Sequence, residues 1–208
     1  MSIFKKVGLI FVLSVIIFAV NLGISTVAIN KNRDTLSFME TKVAQRVELA
    51  NQNVIFVQRL DELYTQSVSF ADEDLLGNAM KTFSSLKDNL TNLSTIDQPE
   101  SALLSQLSNS LDEYNTMTLS LARGMLDGTI DMADVGQISQ KKAKIFESLT
   151  NGITAYKADK VAEFSSTIKE AGDRSEQSLY LSLGIGVALF GFMALSTISI
   201  ARAISGAA

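Results

Sequence analysis

The run LSQLSNSLDEYNTMTLSLARGM, residues 104–125, sets Leu104, Leu107, Leu111, Tyr114, Thr118, Leu121 and Met125 at alternating steps of three and four. A half-buried strand alternates every second residue, whereas this spacing lines all seven along one stripe of an α-helix. An amphipathic helix of this kind gains its stability by packing that stripe against partners, so its neighbours decide the fold.

Asp127-Gly128 closes the helix, with Gly128 as its C-terminal cap. Beyond it, from near Asp131, Ile138, Ile145, Leu149, Ile153, Tyr156, Phe164 and Ile168 predict a fourth helix. Upstream, the break at Ser94–Pro99 puts Pro99 in a first helical turn. Before it, Leu76, Met80, Phe83, Leu86, Leu90 and Leu93 predict a second helix, opened by the acidic cluster Asp72-Glu73-Asp74. A first helix carries Leu36, Met39, Val43, Val47, Ala50, Val54, Val57, Tyr64, Val68 and Ala71, close to a coiled-coil repeat. A second stripe runs beside it: Leu49, Phe56, Leu60, Leu63 and Phe70. One stripe serves the helix's own bundle, leaving the other for another chain.

Helix one (31 to about 72) and helix four (about 131 to 176) come to ~63 and ~69 Å, against ~32 and ~42 Å for helices two and three. An antiparallel four-helix bundle accommodates these lengths, with the short pair as a hairpin hanging from the far end of the long pair. The expected class is all-α, with long first and fourth helices continuous with two transmembrane helices.

The transmembrane assignment follows from where charge is missing. All 22 acidic and fifteen of the 18 basic residues lie between Lys31 and Glu176, leaving only Lys5, Lys6 and Arg202 outside. The tracts Val7–Asn30 and Gln177–Ala201 carry no charge, and each holds a stretch long enough to cross a ~30 Å hydrocarbon layer. The first outruns the ~7–15 apolar residues of a cleaved signal. The expected order is a cytoplasmic N-terminus at 1–6, a span at 7–30, a helical loop at 31–176, a second span at 177–201 and a linker start at 202–208. Lys5, Lys6 and Arg202 favour both ends in the cytoplasm, and a loop longer than ~60 residues translocates largely regardless of charge.

Composition narrows the chemistry. One proline in 208 residues suits long helices, and the absence of cysteine and histidine removes thiol and imidazole chemistry and most zinc sites. No nucleotide-binding, nucleophile-elbow or metalloprotease motif occurs, so an enzyme is not expected, nor is a cofactor. A net charge of −4 is too mild to suggest nucleic acid. Two binding candidates remain. If helices one and three both run away from the membrane, their far ends bring Asp72, Glu73 and Asp74 near Asp127, Asp131 and Asp134. This apex either attracts a cation or caps helices two and four. Arg59, the basic residue in the outer half of helix one, either holds a ligand carboxylate or is a solvated arginine beside Asp61 and Glu62.

The order of short basic N-terminus, span, helical loop, second span and then Ala201-Arg202-Ala203-Ile204-Ser205 resembles the sensory half of a bacterial methyl-accepting chemotaxis receptor. The pentapeptide is similar to the start of the HAMP linker in that family. Ala122–Thr129 and Lys160–Phe164 are also reminiscent of such sensors. The family's usual proline after that isoleucine is replaced by Gly206-Ala207-Ala208, as in a fragment or a truncated receptor. The resemblance implies a periplasmic sensor domain at 31–176 in the inner membrane and a parallel homodimer. It further implies a small-molecule ligand, or a ligand-loaded binding protein, near the subunit interface, and a small displacement of helix four passed to the second span. The same organisation precedes histidine kinases and diguanylate cyclases, and a two-span helical scaffold with no ligand is the competing class.

Overall fold

The computed structural model describes residues 3–205, all of them helix or short connection. Helix α1 spans Ile3–Phe38 and passes through one π-helical turn, Met39–Val43, into α2, Ala44–Phe70. Then follow α3 (Glu73–Ile96), a 3-10 turn at Gln98–Glu100, α4 (Ser101–Leu126) and α5, a single helix of 74 residues from Met132 to Ser205. The end of the expected linker, residues 206–208, lies outside the described residues.

The chain divides into two units, the first of which is the bundle, Met39–Ser165. Its helix directions follow from which residues meet. Arg46 reaches Ile96 and Gln52 reaches Asn89 between α2 and α3, while Lys87 pairs with Asp112 between α3 and α4. Between α5 and its two neighbours, Lys141 pairs with Glu113, Arg46 with Glu163 and Lys142 with Asp61. Between α2 and α3, and between α2 and α5, one number rises as the other falls. Gly152 against Leu107 gives the same sense for α4 and α5, and the short turn at Gln98–Glu100 folds α4 back along α3, so the four-helix bundle is antiparallel. The core contains Val57, Leu60 and Tyr64 of α2 and Leu86, Leu90 and Leu93 of α3. Leu104, Leu111 and Tyr114 of α4 and Leu149, Ile153 and Tyr156 of α5 complete it.

Both ends expected to be sharp are sharp. Asp72 Oδ1 accepts from the N–H groups of Asp74 (2.8 Å) and Leu75 (3.2 Å), the N-cap arrangement that satisfies orphan donors of α3. At the end of α4, Gly128 has φ +66°, and the Thr129 N–H closes back on the Gly124 carbonyl at 2.9 Å. The end of α2 uses the same closure with an alanine. Ala71 sits at φ 50°, ψ 47°, and the Asp72 N–H donates to the Ser67 carbonyl at 2.9 Å.

Several stripe residues are corrected. On α3 the core residue is Ala79, and Met80 is 40% exposed. Leu36, Phe70, Ala71 and Ile168 are exposed, and Met125 is the exposed end of an otherwise buried stripe. The second stripe of helix one does not wait for another chain. Leu60 and Leu63 are buried in the bundle's own core, and Leu49 and Phe56 pack against it. The true core stripe of α2 runs 43, 46, 50, 53, 57, 60, 64, 67, a strict heptad. Polar residues Arg46, Asn53 and Ser67 occupy three of its positions, which shifts the apparent apolar pattern sideways.

The second unit contains α1 and the part of α5 from Ser166 onward. Each has an apolar window long enough to cross a membrane, and no residue of either window is buried. A core helix of a water-soluble protein has its apolar residues covered, so these are lipid-facing helices and the chain is a two-pass membrane protein. Several of their hydroxyls find partners within the two helices, as hydrocarbon favours. Ser14 donates to the Ile10 carbonyl, Thr26 to Leu22 and Thr197 to Met193, while Ser25 and Ser182 meet between the two helices at 3.2 Å.

Candidate functional site

At the end of the bundle where α2 begins and α3 finishes, charged side chains are buried together. Asp97 turns the corner after α3, its N–H donating to the Leu93 carbonyl at 2.8 Å, and it is 1% exposed. Three donors from two other helices converge on its carboxylate. The Tyr156 hydroxyl donates to Oδ2 at 2.9 Å, Lys160 Nζ lies 3.2 Å from the same oxygen, and Arg46 Nη1 is 3.5 Å from Oδ1. Glu163 completes the group, 3.2 Å from both Arg46 and Lys160. Arg46 also donates through Nη2 (2.8 Å) and Nε (3.3 Å) to the Ile96 carbonyl, a cation placed on the C-terminus of α3.

The electrostatics follow from this crowding. Burial alone lowers the Lys160 pKa, but hydrogen bonds to Asp159, Asp97 and Glu163 outweigh it and leave the ammonium above its ordinary value. Burial raises the Tyr156 hydroxyl, and its bond to the Asp97 carboxylate raises it further. Every member of the cluster has a partner within it, and together they tie α2, the α3–α4 corner and α5 in a single register. Buried ion pairs add little net stability over apolar packing, but removing one partner leaves the others stranded.

A second polar group lies in the outer half. Asp61 of α2 accepts from the Tyr114 hydroxyl of α4 at 2.7 Å and pairs with Lys142 of α5 at 2.6 Å. The Tyr64 hydroxyl donates to Asn115 at 2.5 Å, and its ring meets Tyr114 edge-on with centroids 6.5 Å apart. Burial pushes Tyr64 up to about 12, with Arg123 opposing, and raises Tyr114, helped by the bond to Asp61.

The residues singled out from sequence are placed as follows. Arg59 is half exposed and pairs with Glu62 one turn on, at 2.9 Å. Asp72 caps α3, and Asp131 Oδ1 accepts from the Ala133 N–H at 2.9 Å at the start of α5. Glu73, Asp74, Asp127 and Asp134 are exposed. Among the described residues no three carboxylates converge tightly enough to hold a metal ion. The sequence reading missed the Arg46–Asp97–Lys160 cluster, although heptad phase signals two of its members, since Arg46 and Lys160 stand on core stripes. No family model, no curated protein and no solved structure matches the chain.

Proposed function

We propose that this chain is the sensory module of a transmembrane receptor of the methyl-accepting chemotaxis type, binding rather than transforming its ligand. In this reading the bundle is extracytoplasmic, both termini face the cytoplasm across the inner membrane, and two copies act together. One observation carries it: α5 is unbroken over 74 residues, so one rod includes Lys160 of the buried cluster and the apolar tract of the second span. A helix cannot rotate or slide at one point without moving its neighbouring turns, and an ionic cluster has discrete paired arrangements rather than a continuum. A ligand with unequal affinity for two such arrangements shifts their populations, and the second span carries the difference inward.

The test joins the chain at Ser205 to the cytoplasmic signalling part of a chemoreceptor and reads kinase control in cells across a panel of amino acids, organic acids, amines and small neutral molecules. A reproducible response to one class supports the receptor. Silence across the panel, with the protein inserted and folded, favours a two-span scaffold. The chain has no cysteine, so single substitutions report without background. Thr95→Cys, exposed near the α3–α4 corner, is expected to react with a membrane-impermeant maleimide in intact cells. Ile55→Cys, on the exposed face of α2, tests for a second copy by disulfide formation.

A further inference from the structure

The ties that meet at Asp97 are uneven. Arg46 of α2 holds the α3–α4 corner twice over, by two hydrogen bonds to the Ile96 carbonyl and by its charge on Asp97. Two side chains of α5 reach Asp97, the Tyr156 hydroxyl at 2.9 Å and Lys160 Nζ at 3.2 Å, both on the same carboxylate oxygen. The corner is therefore fixed to α2 more firmly than to α5.

A buried ion pair is ordinarily hard to part because each ion is left alone. Here neither is. Lys160 Nζ lies 3.0 Å from Asp159 and 3.2 Å from Glu163, and it stands over the Tyr156 ring, 5.4 Å from the centroid. All three of these partners ride on α5 itself, while Asp97 keeps Arg46. The Asp159 and Glu163 side chains are 65% and 34% exposed, so the ammonium follows them toward water rather than into the core. Deleting Asp97 strands its partners, whereas parting Lys160 from it strands no charge. The Tyr156 hydroxyl is the group that loses its acceptor, and a buried hydroxyl without one is costly. That cost favours the joined arrangement without making it permanent.

We infer that Asp97 and α5 form a latch with two arrangements. In one, Tyr156 and Lys160 rest on Asp97. In the other, α5 has left the corner, with Lys160 held by Asp159 and Glu163 and Asp97 held by Arg46. The inference rests on the receptor reading for its purpose, and it names the two arrangements between which a ligand selects. The helix that lets go is the one that continues into the second span.

Pulsed electron paramagnetic resonance reads the two arrangements as two distances. The full chain carries nitroxides at Thr95→Cys beside the corner and at Ser148→Cys of α5, both exposed, and is diluted with unlabelled chain in phosphatidylcholine nanodiscs. The otherwise unchanged sequence is expected to give a main distance and a minor one. Tyr156→Phe removes the hydroxyl that parting strands, and is expected to raise the ratio of minor to main about tenfold. Asp159→Asn, added to it, withdraws a carboxylate on which Lys160 depends more once Asp97 is gone, and is expected to lower the ratio about twofold. If Tyr156→Phe fails to fold, Asp97→Asn carries the test, with a rise again expected. One distance in every folded variant, or a rise on adding Asp159→Asn, overturns the latch. If the distances stay fixed while the receptor fusion answers a ligand, the latch falls and the receptor stands. If the ratio moves as expected and no fusion responds, the latch stands and the receptor falls.

Discussion

At the scale of single residues, two arginines thirteen positions apart have opposite fates for a reason visible in heptad phase. Arg46 falls on the α2 stripe that faces the core, and Arg59 falls off it. Arg59 is conspicuous from sequence because it is basic and distal, but neither property governs burial. Its pair with Glu62 is an exposed i,i+3 contact, so Arg59→Ala is expected to change stability by less than ~0.5 kcal/mol. Asp97→Ala is the contrasting case. It leaves Arg46 and Lys160 without their shared carboxylate and Tyr156 without its acceptor, at an expected cost of ~3–5 kcal/mol. Reversible urea unfolding in micelles, followed by circular dichroism, separates the two. An Asp97→Ala midpoint equal to that of Arg59→Ala contradicts the buried cluster. Ala71 gives a prediction of the other sign. It holds a left-handed conformation that costs an alanine ~1–2 kcal/mol, partly offset by the greater freedom of glycine in the unfolded chain. Ala71→Gly is therefore expected to stabilise by about 0.5–1 kcal/mol.

At the scale of elements, the caps and the α4 stripe were legible because each is set by neighbouring residues: Asp72 before α3, Gly128 after α4, and seven positions in strict heptad order. The phase of α2 was not, because Arg46, Asn53 and Ser67 place polar groups where a search for apolar periodicity sees gaps. For Arg46 the compensation is tertiary, since it meets Asp97, Glu163 and the Ile96 carbonyl from other elements, whereas the Ser67 hydroxyl donates within its own helix to the Tyr64 carbonyl. The approach of α5 to α4 was likewise hidden. A Cβ added at Gly152 falls 2.6 Å from Leu107 Cδ2, so a methyl group there requires the buried Leu107 side chain to move. Gly152→Ala gains up to ~1 kcal/mol in helix propensity but overpacks the core, with a typical cost of 1–3 kcal/mol. The net expectation is destabilisation. In a Leu107→Ala background the obstruction is gone, and the same substitution is expected to stabilise. A double-mutant cycle tests this, and a coupling energy near zero between positions 107 and 152 rules out the close approach.

For the molecule as a whole, the legible feature was the segregation of charge, since the two uncharged tracts lie on helices whose apolar windows are wholly uncovered, as lipid-facing segments are. The same segregation concentrates every group with a raised pKa in the bundle, and this fixes how stability responds to alkali. Tyr64, Tyr114 and Tyr156 are raised chiefly by burial, and Lys160 is raised because its three carboxylate partners outweigh burial. A group whose folded pKa exceeds its unfolded value contributes stability in full below the unfolded value and loses it as pH rises toward the folded one. For Tyr64 the window runs from pH 10 to about 12, since the unfolded chain sheds its proton first. That single tyrosine removes on the order of 3 kcal/mol across the window, and the other two act in the same direction from pH 10. Lys160 joins them from its ordinary value of 10.5 upward. Against a total stability of ~5–15 kcal/mol, the bundle is expected to unfold cooperatively above pH 10 rather than titrate in place. With Tyr180→Phe removing the tyrosine outside the bundle, tyrosinate absorbance and loss of helical circular dichroism are expected to rise together in one step. Tyrosinate formation with its midpoint at the ordinary value of 10 and the helices intact means that these hydroxyls reach water, and the interior packing described for all three is then wrong.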